Sequence, residues 1–276
     1  GLLLKYAQKY GVPIRIFHSH NAGDMFPTSF LLKKAIRKYE QTQVFRSVTH
    51  LFACSDLAGQ YMFGDKPFST IPNAISVDRF AYRDEVRSKK RKELRIEDQF
   101  VVGFVGRLQY QKNPLFLIDI FNELFKKEPN SLLLIVGIGP MEAEVRQKVA
   151  SLGLSNKVMM LGSRNDVNEL YQAFDCFLLP SRFEGFPVVL VEAQVSGLPC
   201  LVSDAITKEV FLTPGISSVS LSSDASVWAD KMIYTAKQLN DRNLGAGMVC
   251  KSGFETKSMA DRMKDFYLSG KIGRRL

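Results

Sequence analysis

A chain of 276 residues, at roughly 150 residues per domain, has room for two units that each bury a core. Its 46% hydrophobic and 24% charged residues are ordinary for a globular protein, while four scattered cysteines and three histidines exclude a disulfide scaffold and disfavour structural zinc. The net charge of +9 is lopsided: 17 Lys and Arg face 10 Asp and Glu in the first hundred residues and 20 face 18 in the rest, so the first half expects an anionic partner, whether nucleic acid, acidic lipid or a phosphorylated acceptor.

Apolar runs never reach the roughly 18 residues of a spanning helix, and Leu2-Leu3-Leu4 is too short for a secretory signal. The cysteine usage suits a reducing, cytoplasmic compartment. The missing initiator Met reads as a fragment of a longer chain.

In chain order, strands are expected at 14–18, 50–54 and 69–71, with a helix at 28–48. In that helix Leu31, Leu32, Ala35, Ile36 and Tyr39 share one stripe, and Lys33, Lys34, Arg37 and Lys38 lie largely elsewhere. Such a pattern suits a core helix with a solvated face, or a basic face resting on an anionic membrane. Three strands in 80 residues are too few for a covered parallel sheet, so residues 1–80 read as an incomplete unit.

Residues 81–99 carry a helical pattern at 84–95 and the run Lys89-Lys90-Arg91-Lys92, and read as a linker. From there the alternation is regular. Strands are expected at 100–105, 132–136, 157–161, 176–179, 200–203 and 218–221, and helices at 114–127, 140–152, 165–174, 187–196 and 226–239. The strands are short apolar runs, as for strands covered on both faces, which predicts an α/β protein with parallel, doubly wound sheets. The second Rossmann-like unit spans 100–255, and a last helical pattern at 256–268 lies within a tail of 256–276.

Four loops carry candidate chemistry. Gly103-Phe104-Val105-Gly106-Arg107-Leu108 runs from a strand into a loop with two cations, Arg107 and Lys112, then Asn113 and Pro114 start a helix. Ligands of open parallel sheets sit outside the carboxyl ends of the strands, so these cations face a bound anion such as a diphosphate, or simply solvent. Val136-Gly137-Ile138-Gly139-Pro140 is a glycine turn that admits close backbone approach to a ligand or is a plain strand-to-helix turn; the third glycine of a dinucleotide fingerprint is absent. Leu179-Pro180-Ser181-Arg182-Phe183-Glu184-Gly185-Phe186-Pro187 precedes a helix whose positive amino end suits phosphate oxygens, with Glu192 eight positions beyond Glu184. A glycosidase pair would need one carboxyl group on each face of the sugar, which this helix-start setting does not favour. Arg15-Ile16-Phe17-His18-Ser19-His20-Asn21 ends a strand at a cleft, where a histidine can exchange hydrogen bonds near neutral pH.

Together these segments resemble the family 4 retaining glycosyltransferases of the two-Rossmann GT-B architecture, with wording nearest to bacterial capsular and exopolysaccharide enzymes. The likeness rests on Gly106-Arg107 with Lys112-Asn113, Gly137-x-Gly139-Pro140, Leu161-Gly162 with Asp166, Asp175 through Pro180-Ser181, Glu184-Gly185-Phe186-Pro187, Glu192-Ala193, Gly197-Leu198-Pro199 and Ser203-Asp204. His18-Ser19-His20-Asn21, Ala53-Cys54-Ser55 and Ile71-Pro72-Asn73 follow in the first unit.

The resemblance implies that Arg107 and Lys112 hold the donor diphosphate, where fixed cations meet charge that grows in the transition state. They would stand in for a divalent metal, and neither metal nor cofactor is expected. It implies that Glu192 accepts from the ribose hydroxyls, that Glu184 and the Gly185 and Phe186 amides, ahead of Pro187, bind the sugar, and that backbone around Gly162, Arg164 and Asn165 meets the base. His18 matches the histidine near the sugar's 6-hydroxyl, with His20 open to confusion with it. The tail would cross back to brace the first unit.

Two departures stand out. About 90 residues, including a glycine-rich loop, would precede residue 1 in such a family member. The stretch Ala205-Ile206-Thr207-Lys208-Glu209 replaces the common glycine pair, so Glu209 is carried over only weakly.

The expected activity is retaining transfer of a sugar from a nucleotide-diphosphate donor, a UDP-sugar first, to a saccharide or polyprenyl-diphosphate-linked acceptor. The expected setting is the cytoplasm, peripheral to the inner face of the membrane. Two rivals remain: a nucleotide-sugar-binding fragment without catalysis, and a sugar-nucleotide epimerase on the same fold. Nucleic-acid binding rests on charge alone, with no aromatic-basic motif, and is not expected.

Overall fold

The computed structural model describes residues 2–22, 42, 44–238 and 241–270. The first unit comprises α1 (Leu2–Lys9), β1 (Ile16–Ser19), β2 (His50–Ala53), α2 (Asp56–Phe63), β3 (Ser69–Thr70) and α3 (Val77–Phe80). Its strands are parallel in the order β1-β2-β3, with Ile16 opposite His50 and Ser19 opposite Ala53. The basic stripe expected at 28–48, from Leu31 to Tyr39, lies outside the described residues.

The second unit holds α4 (Asp84–Leu94), β4 (Phe100–Val105), α5 (Pro114–Lys127), β5 (Ser131–Val136), α6 (Glu142–Ser151), β6 (Val158–Gly162) and α7 (Val167–Ala173). It continues with β7 (Cys176–Leu179), α8 (Val188–Val195), β8 (Cys200–Ser203), β9 (Ile216–Val219), α9 (Ala225–Gln238) and α10 (Leu244–Lys251). The six parallel strands run β6-β5-β4-β7-β8-β9, the Rossmann order with its reversal between β4 and β7. β5 and β7 are buried at every position: α5, packed between α6 and α9, lies against β5, and α8, with α7 and α10 beside it, lies against β7 and β8. The last strand begins two residues before the expected 218–221, since Cys200 pairs with Ile216 and Ser203 with Val219.

Residues 81–99 are no free tether. Lys90 and Arg91 of α4 are buried and, with Arg87, are spent on α7 and the residue before β7, while Lys89 and Lys92 face solvent. Arg87 and Arg91 pair with Asp175 at 2.5 and 3.0 Å, and Lys90 pairs with Asp166 and Glu169 at 3.0 and 2.9 Å. Carbonyls left open at the end of α7 accept from arginines: Ala173 from Arg91, Gln172 and Phe174 from both Arg87 and Arg242, and Tyr171 from Arg242.

A final helix, α11 (Thr256–Ser269), returns to the first sheet. Its fully buried Phe266 packs edge-on against His50 and Phe52, with ring centroids 4.9 and 5.2 Å apart, and with Ile14, Ile16, Ile71, Met259 and Met263 closes a second small core. His50 is thus a packing residue.

Candidate functional site

The reversal of strand order between β4 and β7 leaves a crevice outside their carboxyl ends, flanked by the loops 106–113 and 180–187. These loops are bonded to one another. Lys112 Nζ donates to Glu184 Oε1 at 2.6 Å, and Gln111 Nε2 donates to Glu184 Oε2 at 3.3 Å and to the Phe183 carbonyl at 3.1 Å. Glu184 is only 4% exposed, so both oxygens need donors, and the chain supplies one to each. On the far side, Arg182 stacks over the Tyr110 ring at 4.6 Å and donates to Asn113 Oδ1 at 2.8 Å. Asn113 does occupy the cap position before Pro114, but its side chain serves Arg182 rather than the helix. Arg107 stands exposed, without an ion-pair partner among the described residues.

The glycine turn after β5 has a structural purpose. At Gly137, whose φ is +133°, a Cβ would fall 2.1 Å from the Gly106 carbonyl oxygen, and at Gly139 one would fall 2.2 Å from that of Leu108. Backbone of the neighbouring loop fills the space that the glycines leave, and Leu108 N donates to Ile138 O at 3.1 Å.

Helix α8 starts at Val188, with Pro187 in the cap position. The amides of Gly185 and Phe186 find no acceptor among the described residues. The Phe186 ring stacks on Phe254 at 5.4 Å, so its side chain is committed to packing and only its backbone faces other use. Along α8, Glu192 accepts from the Tyr171 hydroxyl at 2.9 Å. Burial pushes the Glu192 carboxyl up from its ordinary value, opposed by that hydroxyl and by the charge of Arg79. Arg79 also donates to the Asn165 carbonyl at 3.3 Å, tying the loop after β6 to the same end of α8.

In that loop, Gly162 takes a left-handed φ of +66° and its carbonyl accepts from Gly137 N at 2.8 Å. The Arg164 guanidinium is spent on Asp166 at 2.7 and 2.8 Å, which together with Lys90 holds the Asp166 carboxyl far below the usual carboxylate range. What the loop offers a ligand is the backbone of 162–165 and the exposed Asn165 side chain.

His18, one residue before the end of β1, has its Nε2 buried and without a partner among the described residues, its ring 4.1 Å from that of His20. Burial, then the nearby His20, lowers its pKa to about 4, so the ring is neutral at physiological pH. The part of this motif that meets the second unit is the His20–Asn21 backbone: a Cβ on Gly185 would lie 2.0 Å from the His20 carbonyl oxygen and 3.1 Å from the Asn21 Cα.

The structure therefore gathers Lys112 and Glu184 into one pair and puts Glu192 and Asn165 together through Arg79. It also brings in Gln111, Tyr171 and Arg79, which local sequence reading passes over. Tyr171 lies on the expected helix 165–174, but nothing in its surroundings along the chain ties it to Glu192. Among the described residues no helix is long and apolar enough to cross a membrane.

Known proteins show the same organisation. A Bacillus subtilis (strain 168) protein named as a glycosyltransferase, EpsF, is 34% identical over 248 residues, 86% of this chain and 63% of its own length. The Escherichia coli UDP-Gal:alpha-D-GlcNAc-diphosphoundecaprenol alpha-1,3-galactosyltransferase is 31% identical over 209 residues, 72% of this chain and 54% of its own. This chain thus spans between about half and two thirds of these curated relatives. The crystal structure of Anabaena HepE in complex with UDP-glucose superimposes with a TM-score of 0.83 at 20% identity, covering 97% of this chain and 76% of HepE, a likeness of fold. The architecture is that of GT-B glycosyltransferases. Residues 86–243 match the family model described as Glycosyl transferases group 1, and with more than half of its length inside that match the chain belongs to this family.

Proposed function

We propose that this chain carries the donor half of a retaining, metal-independent transferase that moves a sugar from a UDP-sugar to a saccharide or polyprenyl-diphosphate-linked acceptor of a surface polysaccharide. The observation that carries the reading is the largely buried Lys112–Glu184 pair at the strand-order reversal, beside the Gly185 and Phe186 amides, which find no acceptor among the described residues. Exposed Arg107 and the Lys112 ammonium offer fixed positive charge to a diphosphate, and they gain most as the leaving phosphate acquires charge in the transition state. Glu184, held by two donors, keeps lone pairs for sugar hydroxyls. Glu192 accepts from the ribose, and the 162–165 backbone meets the base. His18, neutral and with Nε2 unpartnered among the described residues, suits a hydrogen bond to a sugar hydroxyl rather than ion pairing. The galactosyltransferase relative acts on a lipid diphosphate, which supports an acceptor of that class and a seat beside an anionic membrane on the cytoplasmic side.

Calorimetric titration with UDP, without added metal, tests the reading. Arg107→Ala and Glu192→Gln each remove a charge-assisted contact and should weaken UDP by roughly tenfold to a hundredfold, while circular dichroism shows both variants folded. A folded wild-type chain that binds neither UDP nor GDP would refute the donor-site assignment.

A further inference from the structure

We infer that Ser55 and Glu209 are positioning residues that set the Gly185–Phe186 peptide from the opposite unit, so that its N–H is presented to the donor sugar; the inference rests on the donor-site reading above. Ser55 is fully buried at the turn between β2 and α2. Its hydroxyl accepts from Ala58 N at 3.1 Å, capping α2, and donates to the Gly185 carbonyl at 2.5 Å. With the cap occupying a lone pair, the single hydroxyl proton is free for Gly185. A peptide is planar and trans, so fixing the Gly185 C=O towards Ser55 turns the Phe186 N–H the opposite way. That N–H has no protein acceptor among the described residues.

Glu209 closes the other side of the same turn. Both of its carboxylate oxygens accept from Asp56 N at 3.2 Å, at the positive end of α2. Thr207 adds a hydroxyl to Glu209 at 3.3 Å. The turn is itself anchored to the first sheet: Ser19 Oγ donates to the Ala58 carbonyl at 2.9 Å, and Thr70 Oγ1 donates to Asp56 Oδ1 at 2.5 Å. Gly185 meanwhile has no room for a side chain against His20. The loops 184–186 and 207–209 therefore grip one rigid turn of the first unit. UDP itself would meet only second-unit residues, so this clasp acts on the sugar-contacting amide and not on the nucleotide.

Two readouts test it. Glycine keeps most N-cap stability and removes the donor, so Ser55→Gly isolates the Gly185 bond, with Glu209→Ala as the second variant. Calorimetry should show UDP affinity within about twofold of wild type in both, but UDP-glucose weakened by roughly fivefold, the scale of one lost neutral hydrogen bond. Ser55→Thr, which keeps donor and cap, should restore it. In the ligand-free chain, hydrogen exchange of the 180–187 segment should quicken severalfold in Ser55→Gly and return towards wild type in Ser55→Thr. Equal weakening of UDP and UDP-glucose would make Ser55 merely structural and overturn the inference. So would unchanged exchange, even if neither nucleotide binds; that second result would also count against the donor site.

Discussion

Replacing Tyr171 with phenylalanine removes one oxygen from the interior and asks what that oxygen does. The ring keeps its place, because edge contacts to Phe80, Phe174 and Phe177 at 5.8 to 5.9 Å do not involve the hydroxyl. The bond lost is to a half-buried carboxylate, Glu192 at 2.9 Å, with the Val189 carbonyl at 3.0 Å as the second acceptor. A hydrogen bond to a charged group contributes about 1.5–3 kcal/mol, so about 2 kcal/mol should be lost, or roughly 4–8 °C in Tm for a domain of this size. Burial raises the Glu192 pKa, so the folded state holds more proton than the unfolded one between the unfolded value and the raised one. Stability therefore falls as pH rises through that window, and Tyr171→Phe extends the window upward. The loss should be larger at about pH 7.5 than at about pH 5, as read by thermal melts. On the proposed ribose contact, the ionised Glu192 is the stronger acceptor, so UDP affinity should rise with pH, and in the variant that rise should move to higher pH. An equal drop in melting temperature from wild type to variant at both pH values, or an unshifted UDP profile, would refute the reasoning.

Phe266→Ala empties the small core under the first sheet and should destabilise that unit by about 3–5 kcal/mol; hydrogen exchange should speed up in β1–β3 while β4–β8 stay protected. Lys90→Met leaves Asp166, Glu169 and Glu93 without their shared cation. The buried-pair penalty is discounted because Glu93 and Glu169 reach solvent, which leaves about 1–3 kcal/mol by denaturant titration. Because Asp166 is depressed in the fold, that difference should be complete above the unfolded carboxyl value and narrow as pH falls below it.

Much of the fold and part of the candidate site are legible along the chain. β4, β5, β7 and β8 announce themselves as short apolar runs because each is buried on both faces, and the loops after β4 and β7 carry Lys112, Glu184 and Gly185 in recognisable settings. Helices α2 and α10, at eight residues each, are too short to show a period, and the start of β9 depends on pairing with β8 rather than on its own apolar residues. The charged run of α4 resembles a solvated linker until its partners, Asp166, Asp175 and the open carbonyls of α7, are brought to it from some 80 residues away.

Residue type and spacing along the sequence thus pointed to the positions proposed to meet a diphosphate and a ribose, since those depend on local strand, turn and helix geometry. Tertiary structure alone decided which groups satisfy them. An acceptor shielded from water takes its donors from whatever the fold packs against it: Gln111 at the Glu184 carboxylate, Tyr171 at the Glu192 carboxylate and, across the two units, Ser55 at the Gly185 carbonyl. Hydrogen bonds reward proximity in space, and proximity between residues 55 and 185 exists only once both sheets have formed and met.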